Sequence, residues 1–249
     1  FDAETGLEGV RLLLRRSGGF DYLINCIGMT RVSIDEQDPV SVRRAYAVNG
    51  SFPHELAIAA SELGGRVIHV STDGVFPDEA GLCFEDTLTQ PADVYGETKV
   101  VGELFDEHAV TLRCSIVGPD PVGQRGLLEW FLARPDGVEV SSYADHRWSG
   151  VTSLQLAELC REIVITDAFR DVRAESPVHH VCPNAPVSKY DLLLQFATAY
   201  GKNVAVAPTA GPSPKVTREL GTRYGALRPL YGGNFGIEEA VKRLATITR

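Results

Sequence analysis

Short apolar segments alternate with helical segments along the first half of the chain. Strands are predicted at 22–27, 66–70 and 110–116, and helical spacing predicts helices at 39–63 and 95–107. A strand that returns to its sheet through a helix runs parallel to the strand before it, and the connection is right-handed. This alternation therefore predicts βαβ units and an α/β fold built on a parallel sheet.

The pattern loosens beyond Asp120, and we place a soft domain boundary there. Residues 1–120 are expected to form a domain around the sheet, and residues 121–249 a mainly substrate-binding region with some elements packed back on the sheet. The predicted elements of the second part are helices at 127–133, 152–165 (capped by Thr152 or Ser153), 188–200 and 236–247, a strand at 178–181 and a loop at 208–214.

Three polar residues, Ser71, Thr72 and Asp73, directly follow the predicted strand at 66–70. In an open parallel sheet, ligands bind outside the carboxyl ends of the strands. A hydroxyl at this position can donate a hydrogen bond to a substrate carbonyl. A capped turn uses the same residue types, so that alternative stays open.

A tyrosine and a lysine, Tyr95 and Lys99, are spaced so that they share one face of a helix. The ammonium of Lys99 would favour the phenolate of Tyr95 and lower its pKa from about 10. Such a tyrosine can give a proton to a carbonyl oxygen while a hydride arrives at the carbon. On the spacing alone, an ordinary exposed helix face is the more frequent explanation.

The two motifs together, STDGVF at 71–76 and YGETK at 95–99 followed by GE, resemble the extended short-chain dehydrogenase/reductase superfamily. The similarity is greatest to its dTDP-4-dehydrorhamnose reductase-like family of sugar-nucleotide reductases. Further similar segments occur in the family's order at 23–28, 47–49, 112–118, 148–153 and 187–191. The resemblance covers nearly the whole chain and implies a Rossmann-like, doubly wound parallel sheet with a smaller C-terminal substrate domain.

The resemblance also implies a reaction, the reduction of a 4-keto nucleotide-sugar by NADPH or NADH in deoxysugar and cell-surface polysaccharide biosynthesis. Tyr95 would be the general acid, and Lys99 would tune it and bind the nicotinamide ribose. Thr72 would orient the carbonyl, and Asn49 would hold a helix kink and a proton-relay water. These four residues are the expected catalytic set.

The remaining site residues are likewise implied by the resemblance. The cofactor would be bound by Cys26, Ile27, Gly28, Thr30, Ser71, Tyr95, Lys99 and Ser115. The substrate would be bound by Asp73, Gly74, Arg147 and Trp148, although the polar segment 145–148 is equally consistent with a solvated loop. The family often has a tyrosine at the position of Gly74, so the identity of the sugar stays open.

The chain departs from the family in one respect, since no G-x-x-G-x-x-G turn precedes Leu23. The family uses that turn to hold the cofactor pyrophosphate, and Phe1-Asp2 resembles a later segment near the adenine. Either the sequence is a fragment or the protein has lost its cofactor half. We expect a fragment, because a sheet without its central strands would expose apolar faces on both sides.

Composition argues against several other functional classes and kinds of site. A net charge of -9 disfavours a broad nucleic-acid surface, and no apolar stretch reaches membrane-spanning length. Five cysteines without a C-x-x-C pair indicate neither a disulfide framework nor a metal site, and His179-His180 lacks ligands at metal spacing. We expect a cytoplasmic protein. It should bind a nucleotide-sugar but no metal, nucleic acid or membrane, and a homodimer is one assembly that it could form.

Two other functions stay open on the same scaffold. A nucleotide-sugar epimerase or dehydratase would share Tyr95 and Lys99, although dehydratases usually carry an acidic pair where this chain has Asp73 and Gly74. A non-catalytic binding or regulatory subunit would fit the missing glycine-rich turn but not the retained tyrosine and lysine. Cofactor binding separates this last alternative from the enzymes.

Overall fold

The computed structural model describes residues 2–120, 123, 126–212, 216–233 and 236–248. The helices are α1 (Gly6–Arg16), α2 (Pro39–Ala45), α3 (Phe52–Ser61), α4 (Val94–Val101), α5 (Leu127–Leu132), α6 (Ser153–Ile165), α7 (Phe169–Glu175), α8 (Lys189–Tyr200) and α9 (Gly236–Thr248). The strands are β1 (Tyr22–Asn25), β2 (Arg66–Thr72), β3 (Gly81–Cys83), β4 (Ala109–Cys114), β5 (Ile116–Val117), β6 (Glu139–Tyr143), β7 (Arg147–Trp148), β8 (Val151–Thr152), β9 (Val178–His180), β10 (Val187–Ser188), β11 (Ala205–Thr209) and β12 (Thr217–Leu220).

Two compact units divide the chain, and both are discontinuous in sequence. The first unit comprises Phe1–Pro77, Glu85–Arg113 and Glu162–His180, and the second comprises Asp78–Phe84, Cys114–Arg161 and Val181–Arg249. The assignment of residues 1–120 and 121–249 to separate domains stays a prediction. Phe1, residue 121 at the start of the predicted second part, and residues 213 and 214 of the predicted loop lie outside the described residues.

The first unit is built on a sheet of strand order β1-β2-β4-β9. β1 pairs in parallel with β2, and β4 pairs in parallel with β9. Side chains of α1 and α3, among them Val10, Phe52 and Ala60, form an apolar cluster with Val67 of β2. The predicted α/β fold with a parallel sheet is confirmed.

The second unit has a four-stranded sheet of order β10-β7-β12-β3 and two parallel pairs, β6 with β11 and β5 with β8. Its core joins α5, α8 and α9 through buried side chains that include Phe131, Phe196 and Leu244. The predicted cap of α6 is confirmed at Thr152, because Thr152 and Gln155 each accept a hydrogen bond from the other's backbone N–H.

The long helix predicted at 39–63 is present but irregular. A π-helical turn, Tyr46–Ser51, separates α2 from α3, and this turn contains the buried Asn49. π-helical turns inside helices frequently occur at functional sites. The predicted end at the glycine pair is confirmed, since Gly64 follows α3 with a positive φ of 75° that costs glycine little.

The helix predicted at 95–107 is six residues too long, because α4 ends at Val101. Gly102 caps α4, and a Cβ added to Gly102 would stand 1.9 Å from the backbone oxygen of Asn49. The close approach of two backbones therefore fixes the end of the helix. The residues that follow bury Glu103 and Leu104 rather than continue an exposed helical face.

Three other sequence predictions differ from the structure, and one helix was missed. The predicted strand 110–116 is interrupted at Ser115, whose carbonyl accepts a hydrogen bond from Val151. The predicted loop 208–214 begins inside β11, where Pro208 is tolerated because β11 pairs only with β6 in the described chain. Arg147 and Trp148 form β7 rather than a loop, and α1 was not predicted.

Candidate active site

The carboxyl end of β2 carries the first group of predicted site residues. Thr72 is buried, and its hydroxyl accepts a hydrogen bond from the Gly74 N–H at 3.1 Å while donating to Asp73 Oδ1 at 3.3 Å. The capped turn that the sequence left open as an alternative is thus present. The same turn holds the Thr72 hydroxyl at the carboxyl end of β2.

Helix α4 places Tyr95 against this turn. Asp93 caps α4 by accepting a hydrogen bond from the Gly96 N–H at 2.7 Å. A Cβ on Gly96 would stand 2.3 Å from the backbone oxygen of Gly74, so only glycine allows this approach. A Cβ on Gly74 would stand 3.3 Å from Tyr95 Cε1 and 3.4 Å from Thr72 Oγ1. The tyrosine ring and the threonine hydroxyl therefore flank the same glycine.

Lys99 lies one helical turn beyond Tyr95 and is 5% exposed. Its ammonium donates a hydrogen bond to the backbone oxygen of Val70 at 2.7 Å. Burial raises the pKa of the Cys26 thiol and the nearby Lys99 charge opposes that rise. Lys99 is thus close to the carboxyl ends of both β1 and β2, and its role in binding the nicotinamide ribose stays a prediction.

Asn49 links the segment after β1 to helix α4. Its Oδ1 accepts a hydrogen bond from the Met29 N–H at 2.7 Å, and its amide nitrogen donates to Met29 O at 3.0 Å and to Thr98 Oγ1 at 3.1 Å. Thr98 in turn donates to the backbone oxygen of Tyr95. Both amide N–H groups are used in positioning neighbouring backbone and hydroxyl groups, so the proton-relay role of Asn49 stays a prediction.

The predicted cofactor residues that follow β1 are exposed. Ile27 keeps 44% of its surface exposed although it directly follows a strand of the sheet. The segment is anchored, because the Arg31 guanidinium pairs with the Asp93 carboxylate and the Val94 N–H donates to Glu36. The exposed predicted residues of this segment are Cys26, Ile27, Gly28 and Thr30.

Ser71 belongs to a buried ionic network that the sequence did not reveal. The Ser71 hydroxyl donates to Glu103 Oε1 at 3.1 Å, and Arg113 donates to both carboxylate oxygens of Glu103 at 2.7 Å. The Arg113 guanidinium also lies 5.3 Å from the Phe76 ring centroid. The available signal was an arginine inside an apolar strand, since a buried arginine requires a partner. Cofactor binding by Ser71 stays a prediction.

His69 is fully buried in β2. Asn25 Oδ1 accepts from the Ile27 N–H, so the Asn25 amide nitrogen is the donor to His69 Nδ1 at 3.0 Å. Nδ1 is then the acceptor, and the ring proton lies on Nε2, which has no hydrogen-bond partner among the described residues. Burial, followed by the charges of Lys99 and His54, holds the pKa of His69 well below its usual 6.5.

Three predicted residues belong to the second unit. The Trp148 indole N–H donates to Ser115 Oγ at 2.8 Å, so these two side chains contact each other. Arg147 donates to Glu219 Oε1 at 2.8 Å and to the backbone oxygen of Pro186 at 3.2 Å. The ion pair with Glu219 partly neutralises Arg147.

A cavity of about 440 Å³ in the second unit was not predicted. Its lining residues are Gly126, Leu127, Trp130, Ser141, Ser142, Tyr143, Lys189 and Leu193. Trp130 is 40% exposed, whereas the neighbouring Phe131 belongs to the buried apolar cluster. The Lys189 ammonium lies 5.9 Å from the Tyr143 ring centroid. The cavity therefore combines aromatic surface, hydroxyl groups and one positive charge.

Three general features of the described chain concern metal sites, membrane-spanning helices and thiols. Among the described residues, no group of three or more histidine, cysteine or carboxylate side chains could hold a metal ion. In the same part of the chain, no helix combines the length and apolar character needed to cross a membrane. All five cysteines are free thiols.

Comparison with known proteins gives a consistent result. Residues 6–220 match the model of the RmlD substrate binding domain family. The dTDP-4-dehydrorhamnose reductase of Escherichia coli (strain K12) is 39% identical over 84 residues, which cover 33% of this chain and 27% of that protein. The matched stretch thus spans about a quarter of the curated relative.

Two solved structures are similar to the fold. The dTDP-4-dehydrorhamnose reductase of Bacillus anthracis in complex with NADP has a TM-score of 0.75 at 18% identity, covering 100% of this chain and 87% of that chain. The Bordetella bronchiseptica enzyme WbmG in complex with NAD and UDP has a TM-score of 0.71 at 15% identity, covering 98% and 77%. At these identities the similarity establishes the fold alone.

Proposed function

The chain belongs to the RmlD substrate binding domain family, and from this premise we propose that the protein is an NAD(P)H-dependent reductase of a 4-keto nucleotide-sugar. The observation that carries the proposal is the arrangement around Gly74, which the Tyr95 ring and the Thr72 hydroxyl both approach. Lys99 is buried one helical turn from Tyr95. The Tyr95 ring, the Thr72 hydroxyl and the Lys99 ammonium thus lie near the carboxyl end of β2, where ligands bind in parallel sheets, and this position supports the roles proposed for them.

In the proposed reaction, the bound nicotinamide cofactor supplies a hydride to the keto carbon of the sugar. The Tyr95 hydroxyl donates its proton to the carbonyl oxygen, which becomes the alcohol. The Thr72 hydroxyl turns from Asp73 to donate a hydrogen bond to the same oxygen. The Lys99 ammonium stabilises the phenolate that Tyr95 becomes when it loses its proton, because a nearby positive charge favours the ionised form.

The residues near Lys99 fit a nicotinamide nucleotide. Ile27 offers exposed apolar surface, and Gly28 has no side chain to obstruct a flat ring. We propose that these two residues, with Cys26, Thr30, Ser71, Lys99 and Ser115, bind the cofactor as NADPH or NADH. The named relatives are consistent with either, since one neighbour is in complex with NADP and another with NAD.

We propose that the second unit binds the nucleotide part of the substrate. The cavity beside Trp130 has the size of a small-molecule site, and its aromatic side chains can stack on a base while Lys189 attracts a phosphate. Arg147 and Trp148 are further candidates for substrate binding by this unit. In the first unit, Asp73 and Gly74 are the candidates for contacts to the sugar. The relative from Escherichia coli is named for a dTDP-linked substrate, which supports a role in deoxysugar and polysaccharide biosynthesis.

A substrate screen tests the proposal. Native-length protein is incubated with NADPH or NADH and 4-keto nucleotide-sugars, and oxidation of the cofactor is followed at 340 nm. We expect stoichiometric oxidation with a dTDP-4-keto-6-deoxysugar and formation of the 4-alcohol. Cofactor binding without net oxidation, together with an isomerised sugar, would indicate an epimerase. Absence of cofactor binding would favour the non-catalytic subunit.

Location and assembly are part of the same proposal. We propose a cytoplasmic protein, because its five free thiols fit a reducing compartment. We also propose a homodimer that binds neither nucleic acid nor membrane, and light scattering of the native-length protein tests its mass.

A further inference from the structure

A second cavity, of about 560 Å³, opens in the first unit at the amino ends of β2 and β4. Its lining residues are Gly64, Arg66, Glu107, His108, Phe169, Arg170, Arg173 and Ala174. Arg66 begins β2, whereas Thr72 ends it. Six steps of about 3.3 Å along the strand place Arg66 roughly 20 Å from Thr72. It is therefore separate from the proposed active site.

The lining of this cavity is positive in a chain of net charge -9. Three guanidinium groups border it, and Glu107 is the one carboxylate among the lining side chains. Asp167, which pairs with Arg66, adds a second negative charge nearby without outnumbering the arginines. A concave surface lined by one sign of charge focuses its field and attracts small ions of the opposite sign.

Arg66 is held in place before any ligand arrives. Its guanidinium carbon lies 5.4 Å from the ring centroids of both Tyr22 and Phe169. Its Nη1 donates to Asp167 Oδ1 at 2.7 Å and to the Tyr22 hydroxyl at 2.6 Å. A cation fixed in this way loses little side-chain entropy when it binds a ligand.

The other two arginines keep donors for a ligand. Arg173 donates from Nε to Asp106 O at 3.0 Å and from Nη2 to Phe105 O at 2.7 Å, and its Nη1 has no acceptor among the described residues. Arg170 is exposed and forms no hydrogen bond or ion pair within the described chain. Because a guanidinium presents five N–H donors, these side chains can contact several oxygens of one anion.

We propose that this cavity binds a phosphate-bearing small molecule, with a diphosphate as the recognised group. The planar guanidinium matches the spacing of phosphate oxygens and forms paired charge-assisted hydrogen bonds with them. The volume lies within the range of small-molecule sites and admits a ligand as large as a nucleotide.

Calorimetric titration of native-length protein with inorganic pyrophosphate at low ionic strength tests the site. We expect saturable binding of one equivalent at this cavity. Arg170→Glu is expected to weaken it by about tenfold or more and Arg170→Ala by less, because charge-assisted hydrogen bonds are lost. Arg16→Glu makes the same charge change on an exposed position of α1 outside the cavity, and should change the affinity by less than about twofold.

A further variant, Lys189→Glu, excludes binding in the cavity of the second unit. Retained affinity in this variant supports the proposal. The proposal is overturned if pyrophosphate does not bind saturably, if Arg170→Glu binds as wild type does, or if Lys189→Glu alone abolishes binding. Circular dichroism confirms that each variant is folded. No readout here involves hydride transfer, so failure would leave the proposed reductase activity untouched.

Discussion

His69 and Asn25 illustrate how single polar side chains are accommodated inside the sheet. The Asn25 amide bridges the loop after β1 and the His69 ring, which fixes both side chains and leaves the ring neutral. A buried neutral histidine makes stability depend on pH, since the unfolded chain can take up a proton that the folded chain refuses. The sign of this pH dependence follows from the lowered pKa of His69.

We predict that the free energy of unfolding falls as the pH is lowered below about 6.5, because the unfolded state then binds more protons than the folded state. The His69 contribution is fully present above that pH and declines by up to about 1.4 kcal/mol per pH unit below it, until the pH reaches the lowered pKa of the folded state. Urea unfolding between pH 5 and 7.5 measures this slope.

A substitution tests whether His69 causes this slope of the unfolding free energy with pH. His69→Gln should flatten the slope, whereas the matched control His108→Gln, at a partly exposed histidine, should leave it as in wild type. Burial, followed by the Lys189 charge, also lowers the pKa of His146, so some slope of the same sign should remain in His69→Gln. An unchanged slope in His69→Gln would contradict the assignment.

At the scale of elements, α4 is positioned by contacts at both of its ends. Its first turn contacts the Gly74 backbone through Gly96, and beyond its last turn Glu103 joins β2 and β4 through Ser71 and Arg113. The sequence predicted that a helix carries Tyr95 and Lys99, because that information is local. It could not predict where α4 ends, because the end depends on a backbone contact with Asn49, distant in sequence.

We predict that Gly96→Ala destabilises the protein by roughly 1–3 kcal/mol, because the new methyl group would overlap the Gly74 carbonyl. It should also lower kcat by moving Tyr95 away from Thr72. Glu97→Ala, at the neighbouring exposed position of α4, is the matched control and should change stability little. Equal unfolding midpoints for the two variants would refute the contact.

The buried Glu103–Arg113 pair gives a second prediction at this scale. Glu103→Gln should cost about 3–5 kcal/mol, because it leaves a buried arginine without a counter-charge. Replacing both residues, as Glu103→Leu with Arg113→Met, should cost less than the sum of the two single changes. Denaturant unfolding of the wild type, Glu103→Leu, Arg113→Met and the double variant measures the coupling. Lys242→Ala, in the exposed ion pair of α9, is the control and should leave the unfolding midpoint nearly unchanged. Additive costs would show that the pair is not coupled.

For the whole molecule, the order of strands and helices around Thr72, Tyr95 and Lys99 was predictable, since apolar runs and their spacing record local structure. Pairing between distant segments was not predictable. The pairs β11 with β6 and β12 with β3, like the cavity near Trp130, depend on segments that are far apart in the chain. The cavity at the amino ends of β2 and β4 could not be predicted either. Its three arginines come from two separated segments whose spacing gives no signal.

The central claim is that Tyr95 supplies the proton in a hydride-transfer reaction. Its most direct test is the kcat of Tyr95→Phe in native-length protein, measured with the substrate and cofactor found in the screen, beside the cofactor affinity of the same variant. We predict that kcat falls by about 10²–10⁴-fold while the affinity for NADPH or NADH stays within about threefold, because the substitution removes only the hydroxyl. A variant that reduces the keto-sugar at the parental rate would contradict the mechanism.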